Sequence, residues 1–263
     1  MFLGGFGAQF AGGLASGVLR AWLASLGVPR EQLEQSPAVI VPALLVSGLS
    51  LCAVALLAAA QTGAPTAQVL RLRPAPLSCY AAAAFGTVML GPSADAMMRA
   101  AQRYFPDLSL GVVPMLTELV QEIPLYVALP AFALLPGLSE ELMFRGLLMN
   151  AAGVGRFGIC VSGLAFALFH IDPHHVAGVL PLGFFLAWVG ARCGTWVTIF
   201  AHVINNAAAI AAAHSEALSV GYGTEKEMPW QWLPASLALV AVSVIVIVRT
   251  ARPSPQPEPR AAH

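Results

Sequence analysis

The chain has 263 residues, a formal net charge of zero and only 10% charged residues against 58% hydrophobic ones. Soluble domains carry about 25% charged residues, so this balance, with a mean hydropathy of +0.76, excludes an ordinary soluble domain and points to a polytopic membrane protein. Neutral charge without a basic run also argues against a nucleic-acid partner. Residues 2–26 are rich in glycine and small residues but are interrupted by Gln9 and Arg20. They lack a charged leading region and a small-residue cleavage site, so they do not read as a cleaved signal peptide. An interfacial or surface-docked helix is expected there, with residues 1–36 forming this helix and a linker.

A helical span needs roughly 20 apolar residues. Residues 38–60 satisfy this outright, and residues 77–98 form a second candidate weakened by Gly91, Pro92 and Asp95. Residues 112–136 form a third, with Pro114, Pro124 and Pro130 inside it and Glu118 and Glu122 one turn apart. Shorter apolar segments follow at 139–153, 157–171, 176–192 and 195–213, and a last clear span at 232–248. The expected fold is all-α, a polytopic bundle of about eight transmembrane helices around a polar intramembrane cavity. The membrane domain runs over residues 37–249, and residues 250–263 form a Pro-rich, polar, disordered tail. Cys52, Cys79, Cys160 and Cys193 lie singly in apolar segments and read as free buried thiols, without metal or disulfide roles.

If eight spans alternate, one side holds Arg20, Arg30, Arg99, Arg103, Arg156, Arg192, Arg249, Arg252 and Arg260. The other holds Arg71, Arg73 and Lys226. The excess marks the first side as cytoplasmic. The same alternation puts Glu140, at the start of one span, and His170, at the end of the next, toward the non-cytoplasmic side. One lysine against twelve arginines, in an Ala- and Gly-rich chain, suggests a GC-rich bacterial genome and hence a multi-pass protein of the bacterial inner membrane.

Few polar groups remain at membrane depth. They are Glu140, Glu141 and Arg145 in "SEELMFRG", His170 closing "FALFH", His202 and Asn206 in "HVINN", and the pair Glu118 and Glu122. Burying ionisable groups in a membrane costs several kcal/mol, which makes each a functional candidate. Glu141 and Arg145 are i, i+4 on a helix and can form an ion pair. Glu140 is rotated by about 100° from Glu141 and is free to point elsewhere. His202 and Asn206 share one face, as do Phe166 and His170. A glutamate in a dry cavity can take a proton from water near neutral pH. His170 can orient or deprotonate that water. His202 and Asn206 can donate to the oxyanion of a tetrahedral intermediate. No serine or cysteine stands beside a histidine in this set, which argues against a covalent nucleophile.

The three elements EExxxR (Glu140, Glu141, Arg145), FxxxH (Phe166, His170) and HxxxN (His202, Asn206), in this order on successive hydrophobic segments, resemble the CPBP family of intramembrane endopeptidases. That family includes CAAX prenyl proteases and bacterial bacteriocin-processing or self-immunity homologues. The resemblance covers roughly residues 112–213. It implies that Glu140 activates water, that His170 assists, that His202 and Asn206 form an oxyanion hole, and that Glu141, Arg145 and Phe166 support them. It also implies a substrate that is a membrane-anchored or lipidated protein or peptide, with C-terminal processing of exported proteins as one role.

The resemblance favours a metal-free mechanism without a cofactor. The alternative is zinc held by Glu140, His170 and His202, with His174 and His175 nearby in "HIDPHH", since zinc takes histidine and carboxylate ligands. Against it, HExxH is absent and Asp172-Pro173 reads as a turn. The plainer structural readings are an ion pair for Glu141–Arg145 and an interhelical hydrogen bond for Asn206. A non-catalytic immunity or scaffold protein of the same fold is the competing class. A transporter is a weaker one, because no symmetric pair of broken helices is visible. Glu118 and Glu122 are expected on a cavity-lining or interfacial face.

Overall fold

A computed structural model describes residues 2–33, 36–215 and 228–251. The described residues contain nine principal helices and no strand. These are α1 (Phe2–Ser25), α2 (Pro37–Ala60), α3 (Leu77–Tyr104), α4 (Val112–Glu122), α5 (Leu125–Ala152), α6 (Arg156–Leu168), α7 (Pro173–Cys193), α8 (Thr195–Ala213) and α9 (Trp232–Thr250). Six of them, α2, α3, α5, α7, α8 and α9, are long and apolar enough to cross a membrane, and α6 is a shorter apolar helix. The all-α polytopic architecture is therefore as expected. The tail expected to be disordered lies, from residue 252 onward, outside the described residues.

The boundaries around the motif core differ from expectation, and proline placement explains why. Residues 112–136 do not form one span, and 139–153 is not a separate one. The residue before a proline is pushed out of the helical region. Ile123, before Pro124, is accordingly extended at φ −101°, ψ 148°, and ends α4. Pro124 then caps a single long helix that runs to Ala152. Pro130 and Pro136 lie inside that helix. The first falls in a wide π-helical stretch, Leu129–Leu134, a geometry that reorganises the i to i−4 ladder which proline would break. A second π-helical stretch, Leu142–Leu148, follows directly after Glu141. Glu140 thus sits in the second half of a long helix rather than at the start of a span. The alternation that set it toward the non-cytoplasmic side no longer follows.

α5 runs through the interior of the bundle. It meets α8 closely at Gly137, where a Cβ atom would lie 2.6 Å from Val203 Cγ2 and 3.1 Å from the Val203 nitrogen. α6 packs on α7, and α3 packs against α7, α8 and α9. α1 packs along α2, with Gly12 at the contact: a Cβ there would come within 2.8 Å of the Ala43 carbonyl oxygen. All four cysteines are free. Cys79 and Cys193 are buried and Cys52 half-buried, but Cys160 is exposed on α6, contrary to expectation.

The α6–α7 turn fixes one wall of the interior. Ile171 adopts the left-handed region at φ +63°, an outlier for a β-branched residue. Asp172 holds the turn in place. Its carboxylate accepts from the backbone nitrogens of His174 (2.9 Å) and His175 (3.4 Å), capping α7, and from those of Leu110 (3.1 Å) and Val112 (3.2 Å) at the start of α4. Burial pushes this carboxyl up, but the four N–H donors outweigh it and hold the group below the usual carboxylate range. A depressed folded value stabilises the fold above the ordinary carboxylate value and loses that stabilisation as pH falls through the folded one. We therefore expect Asp172→Ala to lower stability by about 2 kcal/mol at neutral pH. Thermal unfolding in detergent should show the gap to the wild type narrowing only in acid.

Candidate active site

α5, α6, α7 and α8 together place a charged cluster against the wall of one large cavity. Glu141 and Arg145 are fully buried at 0% exposure, and His202 is 3% exposed. Arg145 Nη1 donates to Glu141 Oε1 at 2.7 Å, and its Nη2 donates to the Gly183 carbonyl of α7 at 3.1 Å. The expected ion pair is present, but it has a third member. The same Glu141 Oε1 lies 2.8 Å from His202 Nδ1 of α8. A carboxylate only accepts, so Nδ1 carries the proton, and Nε2 is the nitrogen left for other partners.

Phe166 joins the pieces. The Arg145 guanidinium carbon stands 4.1 Å from its ring centroid. The His170 ring lies edge-on at 5.0 Å and the His202 ring at 5.5 Å. His170 Nδ1 donates to the Phe166 carbonyl at 3.0 Å, which again leaves Nε2 as the free nitrogen. Asn206 Nδ2 donates to the Phe132 carbonyl of α5 at 3.2 Å. Its Oδ1 accepts from Asn205 Nδ2 at 3.4 Å. One amide hydrogen of Asn206 is thereby left over. Phe132 belongs to the first π-helical stretch of α5, and the residue four positions on is Pro136, which has no N–H, so this carbonyl lacks its usual α-helical donor and can orient the amide.

Glu140 points to the cavity side of the same helix. Its Oε2 is buried and has no hydrogen-bond partner. Glu140, Phe166, His170, His202 and Asn206 all line a single cavity of about 710 Å³, within the range of small-molecule sites. The interior is mostly apolar, so a lone carboxylate oxygen there is a strong acceptor for a water or a peptide group.

Among the described residues no group of three or more histidine, cysteine, aspartate and glutamate side chains is arranged to hold a metal ion. His174 is committed to the Phe105 carbonyl at 2.9 Å. His175 lines the cavity and meets the His170 ring edge-on at 4.6 Å. Glu118 and Glu122 are exposed and do not line the cavity, so of the two expected placements the cavity-lining one is corrected and the interfacial one remains.

Residues 122–208 match the family described as type II CAAX prenyl endopeptidase, Rce1-like. The matched stretch is Rce1-like. It contains all three motifs and nearly all of α5 to α8, so the resemblance read from the sequence and the family match rest on the same helices. With six helices able to cross a membrane, the chain is a multi-pass membrane protein, and about a third of it, the stretch that carries the cluster, is similar to that family. No curated protein and no solved structure matches the chain.

Sequence reasoning missed three features of this site. The Glu141–His202 bond joins residues 61 apart, and only the general need of a desolvated carboxylate for more than one partner pointed toward it. His175 is one position from the histidine that turns out to be structural. The α1 residues that line the cavity lie outside the matched stretch. Removing one partner from a buried charge cluster costs about 3–5 kcal/mol. Glu141→Ala strands both Arg145 and His202 and should lower the unfolding midpoint sharply, whereas Glu141→Gln, which keeps one acceptor, should cost less. Thermal unfolding of the two purified variants makes the comparison.

Proposed function

We propose that this protein is an intramembrane endopeptidase that hydrolyses a peptide bond of a membrane-anchored or lipidated protein or peptide through a water activated by Glu140. The observation that carries the reading is the unpartnered Glu140 carboxylate oxygen in a cavity shared with His170, His202 and Asn206. The water is held between Glu140 and His170 Nε2. Its oxygen attacks the carbonyl carbon of the substrate while its proton passes to the Glu140 carboxylate. The carbonyl oxygen becomes an oxyanion, which accepts from the spare amide hydrogen of Asn206 and from His202 Nε2–H. That second donation requires the imidazolium form, because the other ring nitrogen is committed to Glu141. Collapse of the intermediate breaks the C–N bond, and the proton held on Glu140 leaves with the amine.

Glu141, Arg145 and Phe166 act by positioning. The carboxylate orients the His202 ring, the guanidinium ties that carboxylate to α7, and the phenyl ring packs edge-on against both imidazoles. The arginine-rich composition and the six spans suit a bacterial inner membrane, where anchored peptides and exported proteins with C-terminal anchors are the available substrates.

The test is Glu140→Gln in proteoliposomes and in cells, with the termini of membrane proteins mapped by mass spectrometry. Cleavage should fall by roughly 10³-fold, with the unfolding midpoint close to the wild type because Glu140 Oε2 holds nothing in place. Asn206→Ala should lose about 10²-fold. Cleavage products that persist unchanged in Glu140→Gln would reject the mechanism.

A further inference from the structure

The cavity extends well beyond the matched helices, and one of its walls is α1. Gln9, Gly12, Gly13, Ser16 and Arg20 line it. The spacing defines one face of the helix. The opposite face carries Phe10, Leu14, Val18 and Trp22, four residues apart and all more than half exposed, which is the apolar stripe expected to meet lipid. α1 is therefore oriented, with bulky side chains outward and small or polar ones inward.

Two adjacent glycines on the helix have opposite surroundings. Gly12 is seated on α2, where a Cβ would lie 2.8 Å from the Ala43 carbonyl oxygen and 3.0 Å from Ser47 Cβ. Gly13 faces open space, and a Cβ there would meet nothing within 4 Å. Gly17 is equally open but does not line the cavity. The wall is also held in register with the catalytic turn. Gln9 Nε2 donates to the Phe169 carbonyl at 2.8 Å, one residue before His170. Ala43, Leu44, Ser47 and Gly48 of α2 line the same cavity.

We propose that Gly13 of α1 is a specificity-determining residue, whose missing side chain leaves room for a bulky apolar side chain of the peptide substrate. This rests on the peptidase reading and adds to it the wall that selects by size. A pocket rejects a group that overfills it far more readily than one that underfills it. A residue larger than glycine at position 13 projects into the volume a substrate side chain needs. Gly12 is excluded from that role by its contact with α2, and Gly17 by its position off the cavity.

The test uses the full chain in proteoliposomes and a peptide library carried on a single-span anchor, randomised on both sides of the cleavage window. Products of the wild type, Gly13→Ala, Gly13→Leu and Gly17→Leu are sequenced by mass spectrometry. Products carrying Leu, Ile, Met or Phe at one flanking position should fall by roughly tenfold or more in Gly13→Leu and by less in Gly13→Ala, while products with Ala or Ser there persist. Gly17→Leu should give the wild-type profile. A wild-type size profile in Gly13→Leu, or the same loss in Gly17→Leu, overturns the inference. Loss of all products in a Gly13→Leu sample whose unfolding midpoint matches the wild type overturns size selection and makes the wall essential to any binding. Absence of Glu140-dependent cleavage by the wild type overturns the peptidase reading itself, and this inference with it.

Discussion

One carboxylate oxygen holds the interior of this protein together. Glu141 Oε1 accepts from Arg145 on its own helix and from His202 on α8, and Arg145 in turn reaches the Gly183 carbonyl on α7. Three helices meet through this oxygen and the guanidinium it binds, with Glu141 and Arg145 withdrawn completely from solvent. Ion pairs so deeply buried are poor sources of net stability, because desolvation cancels most of the attraction. Their value here is geometric. Once the cluster is assembled, the ring of His202 is tied to the carboxylate through Nδ1, the guanidinium stands over the Phe166 ring, and the imidazole of His170 lies edge-on to the same ring.

The cluster depends on how α5 is built. A regular helix through Pro130 and Pro136 would kink or break. The π-helical stretch at Leu129–Leu134 contains Pro130 and ends just before Pro136, and a second at Leu142–Leu148 begins directly after the Glu140–Glu141 pair. The first exposes the Phe132 carbonyl that orients Asn206. The second carries Arg145 back toward Glu141. Widened turns recur at functional sites because they free backbone groups and re-aim side chains. Here both effects appear on one helix. At the other edge of the site, Asp172 converts a strained turn into a fixed one and ties α4 to the residue pair that follows His170.

The motif residues were legible because charge at membrane depth is rare and each motif repeats an i, i+4 relation within a single helix. The Glu141–Arg145 pair and the presence of Phe166 and His170 on one face needed nothing beyond that periodicity. What lay across helices was not legible. Nothing local to "HVINN" says that His202 bonds a carboxylate 61 residues away, or that Asn206 finds the Phe132 carbonyl. The span boundaries failed at Pro124, Pro130 and Pro136 for a related reason. One proline ended a helix and two were absorbed, and the choice is made by packing around each rather than by the residue. α1 was read from its composition as lying at an interface; its cavity face shows only once α2 is beside it.

The charges in the site also constrain the order of events. Arg145 and Glu141 cancel, so the buried cluster is neutral overall in either of two ways. A proton can sit on Glu140 with His202 uncharged, or on His202 with Glu140 ionised. In the proposed reaction the second arrangement is the one ready to act, with a carboxylate for the water and a charged ring for the oxyanion. When the water is cleaved, its proton neutralises Glu140 as negative charge appears on the substrate oxygen, beside a ring that is already positive. The net charge of the cavity, substrate included, does not change at any step before the product leaves. In a medium where an uncompensated ion costs several kcal/mol, that conservation is what would allow the proposed ionic chemistry to run at membrane depth. It also explains why Glu141 must be shared rather than spent on Arg145 alone. A carboxylate wholly committed to the guanidinium could not stabilise the imidazolium, and the hole for the oxyanion would lose its second donor.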